Sequence, residues 1–428
     1  MIKLGVIADD FTGATDIASF LVNNGLPTVQ LNGVPPSDFK VDTQAVVISL
    51  KSRSCPAEQA VADSLKALAW LQKQGCQQFY FKYCSTFDST AKGNIGPVTD
   101  ALLEQLGETQ TIISPALPVN GRTVYQGHLF VMDQLLSESG MRHHPVTPMT
   151  DSNLMRAMEQ QATGRCGLVP YAVMDQGAEA VKQRLAQLKE QGMRYVVLDT
   201  LNEQHLLTQG EALRDMKLVT GGSGLAIGLA IGLARQWAES ATQTGSATEA
   251  GKPQSGAGVV LSGSCSVMTN KQVAHYLKQA AGRDIDVARC LASDDAQAAY
   301  VQELADWVKA HRDDALAPLL YATSSPNELA QIQQRWGAEA SSQAVEQLFA
   351  AVAHQLQQDG FQRFIIAGGE TSSIVVQTLG IHAFHIGPSI SPGVPWVRST
   401  NHPLSLALKS GNFGDEDFFA RAQKEFAA

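Results

Sequence analysis

Short apolar runs alternate with amphipathic stretches along most of this 428-residue chain. Apolar runs of about 4–8 residues are typical of buried strands, whereas apolar residues recurring at helical spacing predict helices. The predicted strands are Leu4–Ala8, Ala45–Leu50, Phe79–Tyr83, Thr111–Ser114, Tyr195–Asp199, Lys217–Thr220, Val259–Ser262, Asp284–Val287, Leu319–Ala322 and Phe364–Ala367. Because helices such as Glu58–Gln74 and Gly177–Gly192 are predicted between them, the pattern indicates an α/β fold with mostly parallel sheets.

The alternation is interrupted after the apolar helix predicted over Leu225–Trp237. Residues 238–257 contain no aromatic and no large aliphatic side chain, a composition typical of a flexible linker. We therefore predict an N-terminal domain over 1–237, a linker over 238–257 and a C-terminal domain over 258–428. A cleft between two α/β domains is expected, and such clefts are favoured places for ligands.

Composition and charge exclude several kinds of partner. The net charge is −9 and no long basic run occurs, so neither nucleic acid nor a membrane is expected as a partner. The six cysteines show no CxxC spacing, which favours reduced thiols over a zinc site or a disulfide framework. No targeting segment precedes the first strand, and a cytoplasmic protein is expected.

Acidic side chains follow the first predicted strand in the stretch ADDFTGATD, residues 8–16. Asp9 and Asp10 come at the strand's end, Thr12 is expected to start a helix, and Asp16 lies further along it. Carboxylates at the carboxyl end of a parallel strand can hold hydroxyl groups, bind a metal ion or accept a proton. The alternative is that an aspartate caps the helix, but one acid suffices for that.

Polar loops also follow other strands of the first half. Lys82 and Asp88 lie in FKYCSTFDSTAKGNIG, Asn120 and Arg122 in SPALPVNGRTVYQGH, and Lys51 and Arg53 in SLKSRS. Carboxylates and amides can hold hydroxyls, and cations can hold a carboxylate. The set therefore favours a small polyhydroxy acid as ligand, although each loop alone could be an ordinary polar connection.

Small residues follow three strands of the second half, in LSGSCS, AGGETSS and LKSGNFG. Glycine and serine at a helix entrance leave backbone N–H groups free for an anion, and the helix dipole favours negative charge there. Three such turns suit the phosphates of a nucleotide. Taken singly, Gly368–Gly369 could be a tight turn.

Other nucleotide motifs are missing or incomplete. GxxxxGK[ST] is absent from the sequence, which excludes a P-loop enzyme. LVTGGSGLAIG, residues 218–228, partly matches a dinucleotide fingerprint, so an NAD-dependent sugar-acid dehydrogenase is one alternative function. A non-catalytic sugar-acid binding protein is another.

These motifs together resemble the four-carbon acid sugar kinases over nearly the whole chain. The resemblance implies ATP-dependent phosphorylation of the terminal C4 hydroxyl of a four-carbon sugar acid, 3-oxo-tetronate first and D-threonate or D-erythronate as alternatives. It implies substrate contacts from Asp9, Asp10, Lys82, Asp88, Asn120 and Arg122. It implies ATP contacts from Ser262, Ser264, Ser266, Gly368, Gly369, Glu370, Thr371 and Gly411.

Phosphoryl transfer also needs a group that orients or deprotonates the attacking hydroxyl. Asp10, or its neighbour Asp9, is the expected catalytic residue because of its place at the end of the first strand. Mg²⁺ is expected to arrive with ATP, with Glu370 as its candidate protein ligand. The expected partners are the sugar acid and ATP, with homo-oligomerisation left open.

Overall fold

The computed structural model describes the backbone of residues 2–144, 146–240 and 246–426, and the side chains of these residues except 236–240. It divides into two compact units, Met1–Ala247 and Thr248–Ala428. Each unit is an α/β layer structure, as the alternating pattern predicts. No helix among the described residues is both long and apolar enough to cross a membrane.

The strands of the first unit are β1 (Leu4–Ala8), β2 (Thr28–Asn32), β3 (Ala45–Ser49), β4 (Gln78–Lys82), β5 (Thr111–Ser114), β6 (Arg122–Tyr125), β7 (His128–Val131), β8 (Gln134–Leu135), β9 (Arg165–Val169), β10 (Met193–Leu198) and β11 (Leu218–Gly221). Eight of them form the main sheet, which is parallel, in the order β2-β3-β1-β4-β11-β5-β10-β9. A separate antiparallel sheet has the order β6-β7-β8.

Helices connect these strands and cover the sheet. They are α1 (Phe11–Asn23), α2 (Ala57–Lys73), α3 (Ile95–Leu106), α4 (Leu154–Glu159), α5 (Tyr171–Met174), α6 (Ala178–Glu190), α7 (Glu203–Ala212) and α8 (Leu225–Ser240). The first strand, LGVIA, is buried throughout. A side chain at Gly5 would lie 2.9 Å from Leu71 Cδ1 of α2, so the glycine lets this helix pack directly on the strand.

The second unit has the strands β12 (Gly258–Ser262), β13 (Gly282–Asp284), β14 (Leu319–Tyr321), β15 (Arg363–Ala367), β16 (Ala383–Ser391), β17 (Val394–Ser399) and β18 (Ser405–Lys409). They form a mixed sheet in the order β13-β14-β12-β15-β18-β17-β16, in which β17 pairs antiparallel with both β18 and β16. Its helices are α9 (Val267–Tyr276), α10 (Val287–Cys290), α11 (Asp294–Ala310), α12 (Pro326–Trp336), α13 (Ala338–Gln358), α14 (Gly369–Thr378) and α15 (Phe418–Lys424). Trp396, fully buried, packs in its core with Tyr276 and Phe418.

The segment predicted as a linker, 238–257, is partly ordered. Helix α8 extends to Ser240, and a short 3-10 helix covers Glu249–Gly251. The backbone N–H of Gln254 donates to Ser405 Oγ, so this stretch is bonded to the second unit. Residues 241–245 of the predicted linker lie outside the described residues.

One predicted strand is displaced in the structure. Asp284–Val287 overlaps the observed strand at Asp284 alone. The Asp286 carboxylate accepts hydrogen bonds from the backbone N–H groups of Ala288 and Arg289 and begins α10. An aspartate cap therefore ends the extended segment earlier than its apolar residues suggest.

Candidate functional site

Register brings four strand ends of the first unit to one edge. Ala8 pairs with Ser49 on one side and with Lys82 on the other, and Lys82 pairs in turn with Gly221. The loops that follow β1, β3, β4 and β11 therefore start side by side. This edge collects the acids and cations that the sequence placed after separate strands.

Arg53 joins the two aspartates that follow β1. Its Nε and Nη2 donate to Asp9 Oδ2 and Oδ1 at 2.9 and 2.8 Å, a bidentate pair, and Nη2 also donates to Asp10 Oδ1 at 2.7 Å. The Asp88 carboxylate lies 4.0 Å from Nη1. Burial alone would raise the pKa of Asp10, but Arg53 and Lys82 outweigh it and lower that pKa. Asp10 is therefore ionised at neutral pH.

Asp10 is also the cap of α1. Its Oδ1 accepts from the Gly13 backbone N–H at 3.1 Å, and its Oδ2 accepts from the Thr12 hydroxyl. Asp10 thus does cap the helix, a role that leaves a further function for its carboxylate open, and α1 begins at Phe11 rather than at Thr12. Asp9 has a different role, because both of its carboxylate oxygens bond to Arg53.

Asn94 holds the loop that carries Arg53. Its amide Nδ2 donates to the carbonyl oxygens of Ser52, Arg53 and Cys55. The backbone N–H groups of Ser52 and Arg53 donate to the Asp9 carbonyl. The guanidinium is therefore fixed by its own backbone as well as by the acids.

Lys82 lies among the acids without a direct hydrogen bond to them. It is 3% exposed, and its Nζ would lie 2.8 Å from a Cβ at Gly13. Among the described residues no hydrogen-bond acceptor contacts this ammonium. Its charge nevertheless favours the ionised forms of Asp10 and Asp16. An ammonium with unused donors is suited to a ligand that carries a carboxylate or hydroxyl.

Asp16 is a second buried acid of the cluster, besides Asp9. Ser223 Oγ donates to its Oδ2 at 2.5 Å, while its Oδ1 is buried without a hydrogen-bond partner. Burial raises the pKa of Asp16, and the charge of Lys82 and the Ser223 hydrogen bond offset part of that rise. The charge of Arg122 also acts on Asp16, which places Arg122 near the cluster.

The remaining predicted substrate residues are held less directly. Arg122 Nη1 donates to the Asn120 carbonyl, and its Nε is buried without a partner. Thr86 Oγ1 donates to Asp88 Oδ1 at 2.6 Å. Asn120 closes a 3-10 turn, Pro118–Asn120. Asp9, Asp10, Lys82 and Asp88 thus share one cluster around Arg53, with Arg122 and Asn120 beside it.

The glycines of the partial dinucleotide fingerprint serve packing within the sheet. A Cβ at Gly221 would lie 2.2 Å from the Ser114 carbonyl oxygen, and a Cβ at Gly222 would lie 2.3 Å from the Pro115 carbonyl oxygen. The Gly222 N–H donates to the Ser114 carbonyl. These close backbone contacts account for the glycines without a nucleotide, which removes the observation behind the dehydrogenase alternative.

The second unit aligns its strand ends in the same way. Ser262 pairs with Ala367 and with Tyr321, and Ala367 pairs with Lys409. The loops after β12, β15 and β18 consequently meet. The backbone N–H groups of Gly263 and Ser264 donate to the Ala367 carbonyl, and that of Gly368 donates to the Lys409 carbonyl.

The predicted nucleotide residues lie on these touching loops. A Cβ at Gly411 would lie 2.8 Å from Ser264 Oγ and 3.0 Å from Ser266 Cβ. Gly368 has a φ of 125°, a conformation that favours glycine. Ser266 caps α9 through its hydroxyl, whereas the fully buried Ser262 bonds Thr323 Oγ1. Two helix N-termini, those of α9 and α14, therefore begin at this edge, an arrangement suited to phosphate groups.

Lys409 fixes the loop that follows β18 and contains Gly411. Its buried ammonium donates to Gly411 O at 2.7 Å, Ser410 O at 3.0 Å and Thr269 Oγ1 at 3.1 Å. Thr269 Oγ1 donates to Gly411 O as well. One buried cation thus ties the loop containing Gly411 to the first turn of α9.

Replacing Lys409 by methionine is expected to lower the free energy of unfolding by about 1–3 kcal/mol, because buried acceptors lose their donor. Burial lowers the pKa of Lys409 to about 7, against 10.5 for an ordinary lysine. Between these values the unfolded chain binds more protons, so the stability that Lys409 contributes rises with pH. Urea denaturation across this pH window should show a growing difference between wild type and variant. Lys278→Met, an exposed lysine of the same unit, is the control, and a pH-independent difference would refute the assignment.

A cavity of about 230 Å³ adjoins these loops. Gly263, Cys265 and Thr371 line its side towards the helix N-termini. The walls further away combine apolar side chains, among them Leu329, Ile332 and Val345, with polar ones, among them Gln333 and Glu346. A pocket that offers both apolar contacts and hydrogen-bonding groups beside an anion site suits a planar base attached to phosphates.

Glu370 stands apart from these contacts. It is exposed in the first turn of α14. No group of three or more His, Cys, Asp or Glu side chains within the described part of the chain could hold a metal ion. Any Mg²⁺ at this edge would therefore take most of its oxygen ligands from the nucleotide and water, and few from protein carboxylates.

Comparison with known proteins assigns a family to each half. A sugar-binding N-terminal domain model matches residues 4–229, and a nucleotide-binding C-terminal domain model matches residues 259–419. A curated 3-oxo-tetronate kinase of Pectobacterium atrosepticum is 94% identical over 428 residues, 100% of both chains. This chain belongs to the four-carbon acid sugar kinase family. The resemblance identified from the sequence motifs is thus confirmed.

Other members of the family are similar over most of their length. A curated 3-oxo-tetronate kinase of Salmonella typhimurium is 63% identical, and the alignment covers 100% of both chains. One of Escherichia coli is 64% identical, and the alignment covers 92% of this chain and 99% of the relative. A Salmonella typhimurium protein, solved under the provisional description of a tRNA synthase, has a TM-score of 0.92 at 62% identity, with 100% of both chains covered. A Haemophilus influenzae structure has a TM-score of 0.83 at 55% identity, covering 99% of this chain and 100% of its own.

Proposed function

We propose that this chain transfers the γ-phosphoryl group of ATP to the C4 hydroxyl of a 3-oxo-tetronate and releases 3-oxo-tetronate 4-phosphate. The observation that carries this proposal is the 94% identity, without a gap in coverage, to a curated 3-oxo-tetronate kinase. The two assembled strand edges support it, because one offers acids and cations and the other offers helix N-termini.

The acid is proposed to bind at the edge of the first unit, through Asp9, Asp10, Lys82, Asp88, Asn120 and Arg122. The buried Nε of Arg122 has no hydrogen-bond partner among the described residues, and the buried Lys82 ammonium lies beside the acids. Both cations suit the substrate carboxylate. Asp10 and Asp88 suit its hydroxyl groups. Asp9 contributes indirectly, since Arg53 occupies both of its carboxylate oxygens.

Asp10 is the proposed catalytic residue rather than Asp9. The Asp10 side chain is 27% exposed, against 6% for Asp9, so a substrate hydroxyl can approach Asp10. Its pKa is lowered, which keeps it ionised as an acceptor for the hydroxyl proton. In phosphoryl transfer such an aspartate mainly orients the nucleophile and takes the proton as the new bond forms.

ATP is proposed to bind at the edge of the second unit. Its phosphates would contact Ser264, Ser266, Gly368, Gly369, Thr371 and Gly411, and its base would occupy the adjoining 230 Å³ cavity. Ser262 is proposed to support the first loop through Thr323 rather than contact the nucleotide, because its hydroxyl is buried. Glu370 is the proposed protein ligand for the Mg²⁺ that accompanies ATP. When bound, this Mg²⁺ would neutralise charge on the phosphates. We place the protein in the cytoplasm, because all six cysteines are free thiols.

The test is ADP release by the purified protein with Mg-ATP across 3-oxo-tetronates, D-threonate, L-threonate and D-erythronate. We expect one 3-oxo-tetronate to give the highest kcat/KM, and EDTA to abolish turnover. Strongest turnover with threonate or erythronate would replace the proposed substrate within the same family. No ADP release with any acid, from protein whose unfolding transition is cooperative, would refute the kinase proposal.

A further inference from the structure

A second cavity lies in the same unit, at the opposite ends of two strands that lead to the proposed ATP loops. It has a volume of about 280 Å³, and its lining includes Gly258, the first residue of β12, and Arg363, the first residue of β15. These two residues are register partners. Since each strand has five residues, this cavity and the ATP loops are separated by about 16 Å. It is therefore a site distinct from the ATP edge.

The charged side chains around this cavity are mostly cationic. Arg312, Arg363 and Lys424 line it, with Asp314 as the single acid. No ion pair joins Asp314 to any of these cations among the described residues. In a chain of net charge −9, a cavity with three cations and one unpaired acid is unusual. Its electrostatic potential favours an anion.

Arg363 is the cation for which an anion would matter most. Burial lowers the pKa of Arg363, and no acid among the described residues offsets that effect. Its polar contact is a 3.5 Å hydrogen bond to the Phe426 carbonyl, and its guanidinium stacks over Trp396 at 5.0 Å. A partly buried charge without a counter-charge is costly. An oxyanion bound to the guanidinium would supply that counter-charge.

The cavity wall leaves space beside this guanidinium. Gly258 has no side chain to fill the region next to Arg363, and Val259, Leu316 and Ile365 provide an apolar lining. Gln423 is fixed in this wall, since its Oε1 accepts from the Ala317 N–H and its Nε2 donates to the Tyr276 hydroxyl and the Phe419 carbonyl. The wall is therefore preformed, as small-molecule sites commonly are.

We propose that this cavity is a binding site for a small oxyanion, a phosphate or carboxylate group, separate from both substrate sites. Arg363 and Arg312 hold the oxyanion, Lys424 adds charge, and the apolar lining accepts a short carbon segment. Inorganic phosphate and a small dicarboxylate share this recognition chemistry. The relative affinity for the two distinguishes a phosphate-selective from a carboxylate-selective site.

The test is calorimetric titration of the full chain with inorganic phosphate and, separately, with succinate. A non-hydrolysable ATP analogue saturates the ATP site, and Lys82→Met removes the anion-binding lysine of the first unit. We expect saturable binding of at least one probe that survives Lys82→Met and weakens about tenfold or more in Arg363→Gln and Arg312→Gln, because each loses a charged hydrogen bond.

Two further variants separate a site from a general charge effect. Arg335→Gln, an exposed arginine of the same unit, should bind as wild type does. Ala315→Glu places a carboxylate in the lining and should compete with the probes. Arg363→Gln also loses its contact with Trp396, and Arg312→Gln loses a hydrogen bond to the Asp359 carbonyl and a contact with Phe361. Urea denaturation of both variants therefore accompanies the titrations, and the exposed Arg312 is the milder change of the two. Equal affinity in wild type, Arg363→Gln and Arg312→Gln, or no saturable binding of either probe, would overturn the proposal.

Discussion

Replacing Asp10 by asparagine is expected to lower kcat by about 10²–10⁴-fold, the usual contribution of a group that accepts a proton in the transition state. Asparagine caps helices about as well as aspartate, so the first turn of α1 should persist. Arg53 also retains its bidentate partner Asp9. The loss should therefore appear in turnover, with the free energy of unfolding little changed.

The measurement is steady-state kinetics with the preferred acid, together with urea denaturation of the same preparations. Asp133→Asn makes the same charge change at an exposed position of the first unit and should leave kcat unchanged. Turnover of Asp10→Asn close to that of wild type would show that another group activates the hydroxyl. Asp16 would then be the next candidate, because its Oδ1 has no partner and burial raises its pKa.

Replacing Arg53 by methionine is expected to lower the free energy of unfolding by about 3 kcal/mol, because the variant leaves Asp9 and Asp10 adjacent and without their shared cation. This value is at the lower end of the usual cost of removing one partner from a buried ion pair. The lower end applies because the Arg53 side chain is 25% exposed and that of Asp10 is 27% exposed. Kinase activity should fall as well, because Asp10 loses a contact that fixes its carboxylate.

The effect of pH has a definite sign. In the wild type the pKa of Asp10 is lowered from 3.8, so its contribution to stability is present above that value and is lost as pH falls further. Arg53→Met lacks this contribution, and protonation of its unpaired carboxylates removes the repulsion between them. Because the Asp10 contribution of the wild type persists down to that value, protonation of the variant's carboxylates alone should make the difference between the two proteins shrink from pH 7 towards about pH 4.

Denaturation of wild type, Arg53→Met and the exposed control Arg214→Met at both pH values checks this expectation. The double variant Asp9→Asn/Arg53→Met should recover part of the lost stability, because one of the unpaired charges is gone. A difference that stays constant with pH, or a double variant less stable than Arg53→Met, would contradict the charge-pairing account.

Much of the fold follows from local patterns in the sequence. The strand Leu4–Ala8 is predicted and observed with the same bounds, because an apolar run followed by two aspartates leaves little choice. The strand Thr28–Asn32 is not predicted, since Gln30 and Asn32 look polar. Gln30 is nevertheless buried, and its Oε1 accepts from the Thr15 hydroxyl of α1, a contact that no local pattern contains.

The antiparallel strands Arg122–Tyr125 and His128–Val131 were also missed, within a stretch interpreted as a loop. They join through Gln126 and Gly127, and Gln126 adopts a φ of 50°. Backbone N–H groups of both residues donate to the buried Asp199 carboxylate. An acid more than 70 positions away thus stabilises the turn, which explains why the local sequence gives little signal for it.

The candidate site was predicted best where its residues directly follow strands. Asp9, Asp10 and Lys82 come together because their strands are register partners. The structural roles of Arg53 and Lys409 were missed, although both residues were visible in polar loops. Their importance depends on the residues that they contact, and these contacts cannot be read from a single sequence. The sequence did contain one signal for Arg53. It is a cation shortly after a predicted strand, and the acids that follow the first strand have no other evident partner in the sequence.

We expect the acid to bind at the edge of the first unit and to be phosphorylated at its terminal hydroxyl. The most direct measurement is ³¹P NMR of the product formed from the preferred 3-oxo-tetronate and Mg-ATP, with the phosphorus–proton couplings resolved. We expect one phosphomonoester whose phosphorus couples to the two C4 protons, formed in equal amount to ADP. Inorganic phosphate in place of an ester, or a phosphorus signal coupled to the C2 proton, would contradict it.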